Sequence, residues 1–204
     1  MLLLVVLYLA CSAASASRCT YSTYTWNTVD KAAVNFQTVD KSYAEIAPEE
    51  IDPNTGCTVC REDQRTIDIP PLKPFKVCRV LAPRIEAVLR TLIRDGQPID
   101  TITAYRVGKT RGDADAKGNR TRFSNHSFGI ALDINAAHNG LYDRCFEFGP
   151  NCRLIQGGPW NPDEPGSLTE EGDVVRLLQS IGFKWGGRIG GRQKDFMHFS
   201  PTGY

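Results

Sequence analysis

Ser124-Asn125-His126-Ser127-Phe128-Gly129-Ile130-Ala131-Leu132-Asp133-Ile134-Asn135 carries both a strand and a chemical site. Ile130, Leu132 and Ile134 alternate with Ala131, Asp133 and Asn135, the period of two expected of a β-strand, so Asp133 points away from the apolar face. Seven residues earlier stands His126. A second segment, Asp195-Phe196-Met197-His198, supplies another carboxylate and another imidazole. The chain has only 3 histidines, and the remaining one, His138, sits in an Asn/Gly turn and reads as a solvated surface residue. A catalytic zinc takes three protein ligands from imidazole and carboxylate groups and leaves a fourth position open, and His126, Asp133 and His198 make such a set. A neighbouring carboxylate must then accept a proton from water, for which Asp195 is the candidate. Strict alternation would set Asp195 and His198 on opposite faces, so Asp195 is expected in the turn that enters the last strand.

Working outward, apolar residues recur at helical spacing over residues 77–94 (Val80, Leu81, Ile85, Val88, Leu89, Leu92, Ile93), and Gly96 follows as a stop. Residues 99–105 alternate and are rich in β-branched side chains, which predicts a strand. Residues 108–121 are rich in Gly, Asp, Lys and Arg and read as a mobile surface loop bordering a cleft. A long insertion over residues 139–165 precedes a helix that Thr169 would cap and that reaches Ser180. Short strands are expected over residues 183–185 and 197–200. The strand over residues 99–105, following the first helix, begins an α+β core.

The N-terminal 16 residues are uncharged and apolar and end in Ala14-Ser15-Ala16, the pattern of a secretory signal peptide cleaved after Ala16. The alternative is a lipid anchor on Cys11, in Leu9-Ala10-Cys11. The apolar run is too short to span a bilayer. Export implies a secreted, extracellular or periplasmic protein with six cysteines left, of which Cys145 and Cys152 flank a turn and should pair. Cys19, Cys57, Cys60 and Cys78 leave three pairings open. Cys57-Thr58-Val59-Cys60 could be a redox pair or half a zinc knuckle, but no second such pair and no thioredoxin-like surroundings accompany it. Residues 17–75, polar and broken by prolines, read as a cysteine-tethered arm, and residues 76–204 as the catalytic domain. With 204 residues and a formal charge of +1, nothing suggests a partner among nucleic acids or anionic membranes, and a monomer is the default.

The spacing S-x-H-x-x-G-x-A-x-D at residues 124–133 followed by D-x-x-H-F at residues 195–199 resembles the M15 zinc peptidases, which include D-alanyl-D-alanine carboxypeptidases, D-Ala-D-Ala dipeptidases and L-alanyl-D-glutamate endopeptidases. Gly182-Phe183-Lys184-Trp185-Gly186-Gly187 is similar to a G-F-x-W-G-G stretch of the endopeptidase-like branch, and Ala104-Tyr105-Arg106 to the family's Y-R element. The resemblance covers about residues 77–204. It implies one Zn2+ on His126, Asp133 and His198, Asp195 as acid/base, Arg106 as electrophilic catalyst, and a core shared with hedgehog-type domains, a small antiparallel sheet packed on helices with the metal site on the sheet. It further implies peptidoglycan stem peptides as substrate, for whose carboxylates Arg106, Arg111, Arg120 and Arg122 cluster about the first motif. Of these Arg120 or Arg122 is the expected carboxylate binder, with Ser124 supporting the site and Trp185 or Trp160 lining it. Ser200, where a carboxylate often follows the phenylalanine, departs from common members, as does the cysteine-bearing insertion. The alternative function is a non-catalytic, zinc-containing extracellular or cell-wall binding module.

Overall fold

A computed structural model describes residues 17–203 of the chain. The signal-peptide segment and Cys11 lie outside the described residues.

The described chain opens with an antiparallel hairpin of β1 (Arg18–Asn27) and β2 (Ala32–Ser42). Cys19, Tyr21 and Thr23 alternate inward along β1. The expected arm thus opens with two long strands: the period of two along β1 is carried by Cys19, Tyr21 and Thr23, which a search for aliphatic alternation passes over. β3 (Gln64–Ile67) and β4 (Phe75–Cys78) form a second antiparallel pair. β4 corrects the expected start of the first helix, since residues 77–78 belong to this strand and Cys78 is bonded to Cys57. The helix, α1 (Ala82–Arg94), begins with Pro83 in its first turn, where the missing N–H is harmless. Val80, read as part of the helix's apolar face, is instead 65% exposed. Ile85, Leu89 and Leu92 are fully buried, each stabilising the fold by about 1.5–3 kcal/mol.

β5 (Ile102–Thr103) is much shorter than the strand expected over residues 99–105. The Asn135 Oδ1 accepts hydrogen bonds from the Asp100 and Thr101 N–H groups, so a side chain takes the place of a partner strand there. β6 (Lys109–Ala114) and β7 (Arg120–Phe123) replace the expected mobile loop. Their turn is closed by Asp115 Oδ1, which accepts from the N–H groups of Lys117 and Asn119 at 2.8 Å. β8 (Leu132–Ile134) is the strand of the opening motif. The insertion contributes β9 (Leu141–Asp143) and β10 (Arg153–Gln156). α2 (Asp173–Ser180) starts later than expected: Gly172 is its cap residue, while the Thr169 carbonyl accepts from the Gly172 N–H in the preceding turn. β11 (Lys184–Trp185), β12 (Gln193–Asp195) and β13 (His198–Ser200) complete the chain.

The strands make four small sheets, ordered β2-β1-β6-β7, β10-β9-β12, β11-β13-β8-β5 and β3-β4. With two helices beside them the architecture is compatible with α+β. The sheet β11-β13-β8-β5 is antiparallel throughout, and its Leu132, Ile134 and Phe199 share one apolar core with Ile85 and Leu89 of α1 and Val175 and Leu178 of α2. Disulfides join Cys19 to Cys60, Cys57 to Cys78 and Cys145 to Cys152. The last is the expected pair, and the first two exclude a Cys57–Cys60 redox couple in this state. Among the described residues no helix is long and apolar enough to cross a membrane.

Candidate metal centre

β13 runs antiparallel beside β8 with His198 directly opposite Asp133, so the two side chains leave the same face of the sheet. His126 arrives from a 3-10 turn, Asn125–Phe128, that ends at Gly129 in the left-handed region with φ 67°. Only glycine fits there: a Cβ would lie 2.0 Å from the Gln64 Oε1 and 2.6 Å from the Cys78 nitrogen. The turn is also tied to Cys78, whose N–H donates to the Gly129 carbonyl at 2.8 Å. The result is a buried cluster with His126 Nε2 3.1 Å and His198 Nδ1 2.9 Å from Asp133 Oδ1, and 3.3 Å between the two nitrogens. All three ligand atoms fall within 4.8 Å of one another.

The protonation pattern fits a cation. His126 Nδ1 lies 2.8 Å from the Ala104 carbonyl, which can only accept, so Nδ1 carries a proton and Nε2 is the nitrogen turned toward Asp133. Burial lowers the pKa of His126 against the opposing pull of Asp133. Burial alone would raise the Asp133 carboxyl, but the facing His126 and His198 imidazoles hold it well below the ordinary range, as an anion. His126 Nε2, His198 Nδ1 and an anionic Asp133 oxygen therefore meet at close range. Together the three atoms make a group that could hold a metal ion.

Asp195 ends β12, in the sheet β10-β9-β12, and the turn Phe196-Met197 separates it from His198. The alternation conflict disappears because the two residues belong to different sheets. Asp195 is 8% exposed and its Oδ1 has no hydrogen-bond partner. Burial pushes its carboxyl up to about 6, reinforced by the Asp133 charge and opposed by His198, Arg111 and Arg106. Gly186 permits its position, since a Cβ there would lie 2.3 Å from the Asp195 carbonyl oxygen. Arg106 donates from Nη2 to Asp133 Oδ2 at 3.0 Å, leaving Nη1 buried without a hydrogen-bond partner.

The remaining expected site residues are distributed unevenly. Arg120 donates to the Gly112 carbonyl within its own hairpin, whereas Arg122 is exposed on β7, paired in register with Arg111. Ser124 is buried, its Oγ 3.4 Å from that of Ser127, which in turn clasps Gly108 through both its N–H and carbonyl. Trp185 is 4% exposed and donates from Nε1 to the Phe196 carbonyl at 2.7 Å, so it braces the Asp195 turn from inside and offers no open stacking wall. His138 is half-buried in the turn after Asn135. Two contributors escaped sequence reasoning: the Ala104 carbonyl, a backbone group with no signature, and Gly186, whose necessity shows only once β12 is placed.

The family described as D-alanyl-D-alanine carboxypeptidase, one of the M15 peptidases, matches residues 117–201. That segment contains His126, Asp133, Asp195 and His198 and supports the resemblance to M15 peptidases. No curated protein and no solved structure gives a significant match to the chain.

Proposed function

From the M15 peptidase match of residues 117–201, we propose that this protein is a secreted, zinc-dependent peptidase that hydrolyses D-amino-acid-containing bonds of peptidoglycan stem peptides. The observation that carries the reading is the convergence of His126 Nε2, His198 Nδ1 and Asp133 Oδ1, with the Asp195 carboxyl, its Oδ1 without a hydrogen bond, within electrostatic reach. These three side chains would hold the ion on a hedgehog or D-Ala-D-Ala peptidase-like core. Bound there, zinc supplies Lewis acidity, lowering the pKa of water to about 7 and polarising a carbonyl oxygen.

The chain's own groups do the rest. Asp195 accepts the proton of the attacking water and returns it to the departing amine, a role suited to a carboxyl raised to about 6. Arg106 fixes the second oxygen of Asp133 and directs its remaining Nη1 donor at the substrate carbonyl, where negative charge develops. The exposed head of Arg122 binds a stem-peptide carboxylate, while Arg120, Ser124 and Trp185 hold the backbone around the substrate. Three disulfides suit an oxidising compartment, in keeping with secretion, and the protein acts as a monomer.

A pure binding module has no use for a buried carboxyl whose Oδ1 is left without a hydrogen bond close to its metal ligands, which favours the enzyme reading over the module. The test is zinc content together with product release from purified peptidoglycan and D-Ala-ended stem peptides, comparing wild type with Asp195→Asn. One zinc in both proteins and cleavage by wild type alone is the expected result. Zinc in both with cleavage by neither would favour the module, and absence of zinc from both would overturn the metal assignment.

A further inference from the structure

Asp195 has an Oδ1 with no hydrogen-bond partner, so no bond to that oxygen fixes its carboxyl and its placement leans on the backbone that carries it. That backbone is gripped at the next residue. The Phe196 N–H donates to the Gly140 carbonyl at 3.2 Å, and the Phe196 carbonyl accepts from Trp185 Nε1 at 2.7 Å. The Phe196 ring, in turn, lies flat on Trp160, with centroids 4.0 Å apart and planes 6° from parallel. Phe148 closes the edge of both rings, 5.3 Å from Phe196 and 4.8 Å from Trp160.

Trp160 is itself anchored, its N–H donating to the Tyr142 hydroxyl at 2.7 Å and its Nε1 to the Leu168 carbonyl at 2.8 Å. It is only half-buried and belongs to the insertion rather than to the central sheet. Phe148 rides on the loop that the Cys145–Cys152 disulfide closes. The insertion thus places a rigid aromatic face against the residue next to Asp195, and tolerances of about 1 Å at a reacting group can change rates by about a hundredfold.

We propose that Trp160 is a positioning residue, holding Asp195 in place through the face of Phe196; the inference rests on the reading of Asp195 as proton acceptor. The stack supplies what the carboxyl lacks, a fixed support, and it links the cysteine-bearing insertion to the reaction. An aromatic face is the essential property, so phenylalanine at position 160 should serve and a branched aliphatic residue should not.

The test uses zinc-loaded full-length protein with wild type, Trp160→Leu, Trp160→Phe and Asp195→Asn. It reads zinc content, kcat and KM on a D-Ala-ended peptide, and hydrogen exchange at the Phe196 amide. Trp160→Leu should keep its zinc and hold KM within about twofold, but lose about ten- to a hundredfold in kcat. Its Phe196 amide should exchange at least about tenfold faster, and Trp160→Phe should restore both readouts. Wild-type kcat or unchanged exchange in Trp160→Leu would overturn the proposal, as would a Trp160→Phe protein no better than Trp160→Leu. Loss of zinc from Trp160→Leu would overturn it too, by showing a general structural role. If wild type and Asp195→Asn are equally inactive, the peptidase reading fails separately; exchange at Phe196 then decides alone whether Trp160 holds the Asp195 turn.

Discussion

At the scale of single residues, the site sets two carboxyls against each other. Asp133 is held ionised by the imidazoles that face it, while Asp195, equally buried but without a hydrogen bond on Oδ1, is raised to about 6. A carboxyl whose folded pKa exceeds its unfolded value binds more protons when folded, so its contribution is favourable below about pH 4 and is lost as pH rises through about 6. Metal-free Asp195→Asn should therefore be more stable than wild type at pH 7, by on the order of 2 kcal/mol, with the gain vanishing below about pH 4. Urea unfolding at the two pH values checks it, and a pH-independent difference would contradict the burial argument. Arg106 stands one step back from the proposed metal ligands: with its Nη2 removed, Asp133 Oδ2 loses its donor. Arg106→Met should weaken zinc binding by roughly ten- to a hundredfold in a chelator competition, and unchanged affinity would show the ion pair to be dispensable.

At the scale of elements, two glycines mark where backbone must approach backbone. Gly129→Ala places a methyl 2.6 Å from the Cys78 nitrogen in a left-handed residue, so it should cost at least about 2 kcal/mol of stability by denaturant unfolding. Gly186→Ala meets the Asp195 carbonyl at 2.3 Å and should act differently, keeping zinc while kcat falls by roughly tenfold or more, as peptide assays beside metal analysis would show. Elements whose residues follow a clear period were legible in the sequence: β8 through Leu132 and Ile134, though it starts two residues after Ile130, most of α1 through Ile85, Leu89 and Leu92, and β13 through the motif that contains it. The candidate ligands His126, Asp133 and His198 were legible for a related reason, because an imidazole and a carboxylate placed beside apolar strand residues are costly without a common partner. What the sequence hid depends on contacts distant in the chain. Residues 108–121 looked like a loop because their strands present Lys, Arg and Thr and are ordered by pairing with β1. Residues 77–78 looked helical until Cys57 and β3 claimed them for β4. Asn135, read only as a polar strand position, reaches sideways to cap residues 100–101.

At the scale of the molecule, the N-terminal hairpin and the metal turn are parts of one supported structure. β1 pairs with β6, whose partner β7 runs directly into the turn bearing His126, and β6 carries Arg111 to within electrostatic reach of Asp195. The disulfides reinforce the same route. Cys19–Cys60 fastens β1 to the segment before β3, and Cys57–Cys78 fastens that segment to β4, whose Cys78 N–H holds Gly129. Cys145–Cys152 closes a local loop across 7 residues, whereas the other two span 41 and 21. Loop-closure entropy then predicts contributions of about 4, about 3 and about 2 kcal/mol for Cys19–Cys60, Cys57–Cys78 and Cys145–Cys152 respectively. Paired serine substitutions should lower the stability in that order. Zinc affinity should follow a different order, because Cys57–Cys78 lies nearest the His126 turn: its removal should weaken zinc most, and removal of Cys145–Cys152 least. Thermal unfolding and chelator competition on the three variants separate the two rankings. Identical rankings would mean that zinc affinity reports only global stability, and that the route from Cys78 through Gly129 to His126 transmits nothing of its own.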